Sequence, residues 1–117
     1  MVSGAVGTRP AWVSDEMYPF ESRFTTSPRG HVLHYVDEGS GEPIVFLHGN
    51  PAWSFEFRHL IGGLRAELRC VAPDHIGFGL SSRSHQKEHH HPAVHAEALA
   101  ALVDELDLRD VTLFMSD

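Results

Sequence analysis

Three short runs in this chain are apolar almost without interruption: Ile44-Val45-Phe46-Leu47, Cys70-Val71-Ala72 and Val111-Thr112-Leu113-Phe114-Met115. A strand with one wet face alternates apolar and polar residues, so runs like these need cover on both faces. The segments between them carry that cover. Phe57, Leu60, Ile61, Leu64 and Leu68 recur at helical spacing after the first run, and Leu99, Leu102, Val103 and Leu106 after the second. Buried strands alternating with helices predict parallel pairing through right-handed crossovers, hence an α/β sheet with helices on both faces. Upstream, Glu21 to Thr26 and His31 to Val36 are rich in aromatic and β-branched residues, with Ser27-Pro28-Arg29-Gly30 between them. Pro and Gly placed in this way form a tight turn, so an antiparallel hairpin leads into the sheet. Gly62-Gly63 weakens the first helix by about 1 kcal/mol per glycine, and Pro92 suits the first turn of the second. Residues 1–19 hold Gly, Pro and Ser without periodicity. They predict a mobile arm that Trp12, Met17, Tyr18 and Phe20 dock in part, ahead of a folded region at 20–117.

Composition narrows the function classes. A chain of 117 residues with 42% hydrophobic content has the size of one domain. Nine basic residues against 16 acidic ones give a net charge of −7, the wrong sign for a nucleic-acid or anionic-membrane surface. Cys70 is the only cysteine, which rules out an internal disulfide and a Cys-based zinc site. The start lacks a cationic head followed by an apolar run, and no stretch has the length to span a bilayer, so the expectation is a cytoplasmic protein. His91 and His95 lie four apart, with Glu88, His89 and His90 nearby. Pro92 breaks regular helix geometry there and three adjacent histidines cannot all face one ion. The cluster therefore reads as a solvated loop and helix cap, and no metal is expected.

Ligands of an open parallel sheet gather at the carboxyl ends of its strands. Those ends hold His48-Gly49-Asn50-Pro51, followed by Trp53-Ser54, then the run Asp74-His75-Ile76-Gly77-Phe78-Gly79-Leu80-Ser81, and finally Ser116-Asp117. With these motifs in this order, the chain resembles the α/β-hydrolases and, within them, the haloalkane dehalogenases, from about Tyr18 to Asp117. The resemblance implies the amino-terminal part of that fold, up to the position of the nucleophile.

It also implies a chemistry. A haloalkane and water become an alcohol and halide through an aspartyl ester, without a cofactor and on a small apolar halogenated substrate. Asp117 stands at the nucleophile position, and a carboxylate needs no prior deprotonation at neutral pH. The bland alternative is an ordinary acidic residue. Met115 departs from the elbow pattern, which wants a small residue two before the nucleophile. Ser116 is a rival nucleophile, but Phe114 lies two before it. Asn50 offers a side-chain amide to a leaving halide or a backbone N–H to an oxyanion. It also suits a left-handed turn after a strand. Trp53, with Phe55 and Phe57, is a candidate for the substrate wall, although aromatic residues near a helix start are usually core. His48, Gly49 and Pro51 shape the turn, Asp74 braces its own loop, Gly77 and Gly79 permit that loop's tight path, and Ser81 closes the motif. An epoxide hydrolase also uses an aspartate in this fold, and Asn50 tilts the reading towards halide. The cap, the acid and the histidine base of the family fall beyond the region of resemblance. The expectation is an incomplete domain, inactive by itself. The outer edge of its last strand is open to self-association, or to binding a partner as a non-catalytic fragment.

Overall fold

Turn chemistry sets the first strand pair. In the computed structural model, which describes residues 7–83 and 91–116, β1 (Arg23–Thr26) and β2 (Val32–Glu38) form the expected antiparallel hairpin. The Ser27 amide donates to the His31 carbonyl at 2.7 Å and the Gly30 amide to the Ser27 carbonyl at 2.9 Å. After β3 (Pro43–Leu47) comes a 3-10 turn at Ser54–Phe57, then α1 (Arg58–Leu64), β4 (Arg69–Pro73), α2 (Pro92–Glu105) and β5 (Thr112–Met115). The five strands lie in the order β1-β2-β4-β3-β5. β3 is parallel to both β4 and β5, while β2 is antiparallel to both β1 and β4. Four of the five strands therefore point one way, and β2 alone runs against them. The carboxyl ends of β3, β4 and β5 share one edge of the sheet.

Strand pleating divides the core in two. Val36, Phe46, Cys70 and Ala72 point to the face covered by α1, where they meet Tyr18, Phe20, Phe57 and Ile61. Leu33, Tyr35, Val45 and Val71 point to the other face and meet Val94, Ala98 and Leu102 of α2. Helices cover both faces at β3 and β4, as their uninterrupted apolar runs require. In the equally apolar β5, Leu113, Phe114 and Met115 stay exposed because its neighbours on the sheet cover it only in part. The helical stripes are shifted from expectation. Leu60 is 41% exposed and Ile61 alone of the α1 residues is fully buried, because α1 is only seven residues long and begins from a 3-10 turn whose phase differs from an α-helix. In α2 the buried line is Val94, Ala98 and Leu102, with Leu99, Val103 and Leu106 packed at its side. Pro92 occupies the first turn, as its fixed φ favours.

The N-terminal arm is described from residue 7 onward. Its described part, residues 7–19, is tied to the domain. Tyr18 is fully buried and Val13 buried, whereas Trp12 and Met17 are mostly exposed. The Arg9 guanidinium donates to the carbonyls of Phe20 at 2.6 Å and Tyr18 at 2.8 Å. Sequence periodicity is blind to such a segment because it has no regular structure and is held by one aromatic anchor. Among the described residues, no helix is long and apolar enough to cross a membrane.

Candidate active site

The site is built where strand pairing runs out. β3 and β4 stay in register only to Val45 opposite Val71, and Pro73, which has no N–H, ends β4. On the other side, β3 and β5 pair as far as Leu47 opposite Met115, and the Ser116 amide continues the ladder to the Leu47 carbonyl at 3.0 Å. The turn His48-Gly49-Asn50-Pro51 leaves β3 between these two neighbours, with a cis peptide between Asn50 and Pro51.

Asp74, the first residue beyond β4, is the centre of a saturated polar network and is itself fully buried. Its Oδ2 accepts from His34 Nδ1 at 2.8 Å and from the Leu80 amide at 2.9 Å. Oδ1 accepts from the Ser54 amide at 2.7 Å. Ser54 opens the helical stretch through α1, so Asp74 caps from across the chain a helix start that no local side chain caps. Ser81 Oγ donates to the Asp74 carbonyl at 2.6 Å and accepts from the His34 amide at 2.9 Å. The far nitrogen of His34 meets Ser22 Oγ at 2.9 Å, and the Tyr18 hydroxyl meets Ser54 Oγ. Burial works against a charged carboxylate here. The His34 hydrogen bond and charge, with the Leu80 and Ser54 amides, outweigh it and hold the Asp74 carboxyl below its ordinary range. The brace role expected for Asp74 is what the network supports. Gly79 is part of it: at φ +51° its backbone lies so close that a Cβ would stand 2.3 Å from Asp74 Oδ2 and 2.8 Å from the Trp53 Cβ. Gly77, at φ +90°, faces open space.

Beside this network lies a cleft of about 300 Å³, lined by His48, Gly49, Asn50, His75, Phe78 and His95. A larger hollow, between the N-terminal segment and α1 at Met17, Phe20 and Arg58, is remote from the strand ends. The His48 ring is committed at both nitrogens: Nδ1 donates to the Gly49 carbonyl at 2.8 Å, and Nε2 accepts from the His75 amide at 2.9 Å. Those two bonds define a neutral imidazole protonated on Nδ1 and leave no free nitrogen for base work. The His75 ring packs 4.2 Å from that of His48 and 5.6 Å from that of His95. Its pKa is pushed down to about 4, by burial first and then by the neighbouring His48 and His95.

Asn50 is exposed and lines this cleft, on the same sheet edge as Ser116. Trp53 does not line it. Its ring stacks on Phe55 at 5.3 Å and packs 5.4 Å from Tyr18, since the turn carries it back over the anchor of the N-terminal segment. The described wall of the cleft is formed by His75, Phe78 and His95 with the turn at 48–50. Asp117 lies outside the described residues, as do Glu88, His89 and His90 of the histidine cluster. No group of three metal-binding side chains is found among the described residues. Sequence reasoning assigned no role to His34, or to Ser54 and His75, which it named only as members of the strand-end motifs. His34 carried a signal, for it is a polar residue inside the apolar run Leu33 to Val36 and has to find a buried partner.

A family model described as the alpha/beta hydrolase fold matches residues 42–114. The chain is 50% identical over 97 residues to haloalkane dehalogenase 2 of Mycobacterium bovis, covering 80% of this chain and 32% of that protein. It is 40% identical over 105 residues to the cis-3-alkyl-4-alkyloxetan-2-one decarboxylase of Shewanella oneidensis, covering 88% and 33%. Among solved structures, the haloalkane dehalogenase DatA from Agrobacterium tumefaciens aligns with a TM-score of 0.75 at 38% identity, over 83% of this chain and 32% of that one. An epoxide hydrolase from Vigna radiata aligns with a TM-score of 0.79 at 29% identity, over 86% and 33%. The chain thus spans about a third of the length of the relatives it matches. Strand order, the cleft at the strand ends and the family match over residues 42–114 agree: this chain belongs to the α/β-hydrolase fold family.

Proposed function

We propose that this chain supplies the nucleophile and the leaving-group donor of a haloalkane dehalogenase. In the proposed reaction, a carboxylate oxygen of Asp117 attacks the carbon bearing the halogen. The carbon–halogen bond breaks with its electron pair leaving on the halide, and an aspartyl ester forms. Water then attacks the ester carbonyl, giving the alcohol, the free carboxylate and a proton. Asn50 donates from its amide to the departing halide, where developing charge is best met by a fixed donor. The observation that carries the reading is the position of Asn50. It lines the cleft at the end of β3, beside the Leu47–Ser116 hydrogen bond that brings the end of β5 to the same edge. The identity to dehalogenases adds to it. The substrate is a small halogenated alkane, in keeping with a cleft walled by Phe78 and by a histidine held neutral.

The alkylation step tests this directly. Incubated with bromobutane, the chain gains the mass of one butyl group, mapped to Asp117 and absent in Asp117→Asn. Asn50→Ala slows the labelling about a hundredfold. A butyl group on any other residue, or none together with no bromide release, overturns the assignment. The structural likeness to epoxide hydrolases supports a second reading. Labelling of Asp117 by styrene oxide but not by bromobutane selects it.

A further inference from the structure

Each strand end that flanks the Asn50 turn is held differently. On the β5 side the backbone ladder continues through Ser116 to Leu47. On the β4 side it stops at Val45 and Val71, and Pro73 can donate nothing further. The two segments are joined again before Asn50 at His48 and His75, by two bonds of opposite sense, and after it by the Ser54 amide on Asp74. The His75 amide donates to His48 Nε2 at 2.9 Å, and His75 Nε2 donates to the His48 carbonyl at 3.1 Å. His48 Nδ1 in turn donates to the Gly49 carbonyl at 2.8 Å, one residue before Asn50. Each imidazole thus restores a link that the backbone has lost, and the ring centroids lie 4.2 Å apart between the links, with the planes tilted by 48°.

We infer that His75 is a positioning residue: its Nε2–H, locked onto the His48 carbonyl, fixes where the turn presents Asn50 to the cleft. The step from position to rate rests on the reading of Asn50 and Asp117 given above; the clamp itself does not. Backbone pairing would hold the turn whatever residue followed Asp74. Here a side-chain donor at 75 is required, and a residue offering an N–H at the reach of Nε2 serves, whereas an aliphatic one of similar size does not. Small displacements of a donor matter because its effect on charge development depends steeply on distance.

The nitrogen-15 resonances of the two imidazoles in the intact chain give the first test. His48 is protonated on Nδ1 only and His75 carries its proton on Nε2; a His48 protonated on Nε2, or a His75 protonated on Nδ1 alone, overturns the clamp. The second test compares His75→Leu with His75→Gln, whose amide reaches like Nε2. With bromobutane, Leu lowers the saturating rate of Asp117 labelling about tenfold with little change in half-saturation, and Gln stays within about twofold of the parent. Equal rates in the two variants overturn the proposal. Should the parent chain take no label at all, the dehalogenase reading fails, and the clamp is then read from the Asn50 amide resonances. A displacement in Leu that Gln reverses upholds it, and unmoved Asn50 resonances in Leu refute it.

Discussion

The ends of β4 and β5 lie on one edge of one sheet and are built from similar sequence, yet they are packed in opposite ways. Cys70, Val71 and Ala72 are fully buried, and Asp74 beyond them is buried with both carboxylate oxygens occupied. In β5, Leu113 is 53% exposed, Phe114 44% and Met115 69%. Residue type does not explain the difference. β4 sits between β2 and β3, with the α1 cluster on one face and the α2 cluster on the other. β5 has β3 on one side, and the Phe114 ring lies 5.6 Å from that of Phe46 and 6.0 Å from that of Phe57. An apolar run states how much surface a strand is able to bury; its neighbours decide how much it does bury.

The largest predicted effect is therefore at the buried end. Asp74→Ala strands the His34 ring and two amides without their acceptor, which costs about 3–5 kcal/mol in urea unfolding. A cost under about 1 kcal/mol would mean that water enters the network and that the contrast with β5 is weaker than the geometry indicates. Next comes the loop that wraps Asp74. Gly79→Ala costs about 2–3 kcal/mol, since its Cβ meets Asp74 Oδ2 and Trp53 and its φ is left-handed. Gly77→Ala, strained but facing open space, costs about 1 kcal/mol. Equal costs at the two positions would remove the close approach as the reason for glycine at 79.

How much of this was legible in the sequence follows the range of each interaction. The hairpin was legible because Pro28 and Gly30 act within four residues. The start of α2 was legible because Pro92 acts within one turn. The motif at Asp74 was legible as a brace, with Gly79 giving it room. What stayed hidden depends on contacts between distant residues. That β2 enters the sheet beside β4 rather than β3 is a choice among pairings that hydrophobic pattern does not distinguish. His34 and Asp74 are 40 residues apart. Trp53 shared the composition of a pocket wall with Phe78, and only the path of the turn after Pro51 sends it to Tyr18 instead. The His48–His75 pair was invisible because it replaces a backbone link, and nothing in composition marks where a ladder stops.

A smaller effect is expected in β5. Phe114→Ala costs roughly 1–2 kcal/mol, well below the 3–5 kcal/mol of a fully buried phenylalanine, because nearly half of its surface already meets solvent. Loss of the full core value in thermal or urea unfolding would show that β5 is better covered than its 44% exposure implies.

The smallest effect separates the two ends by pH. His75 titrates at about 4 instead of 6.5, so the unfolded chain takes up a proton before the folded one does. Its contribution to stability is complete above pH 6.5 and is lost as the pH falls towards 4. The Asp74 carboxyl, held below 3.8, contributes stability that persists through that window and is lost only on further acidification. His75→Gln should flatten the first decline and leave the second, while Asp74→Asn should remove the second. The His75 share is on the order of 1 kcal/mol, since a cleft open to water shares the charge of the added proton. It is read as the urea midpoint against pH. If His75→Gln leaves the slope between pH 6.5 and 4 unchanged, that loss belongs to other histidines, and His75 is as well solvated as the exposed face of β5.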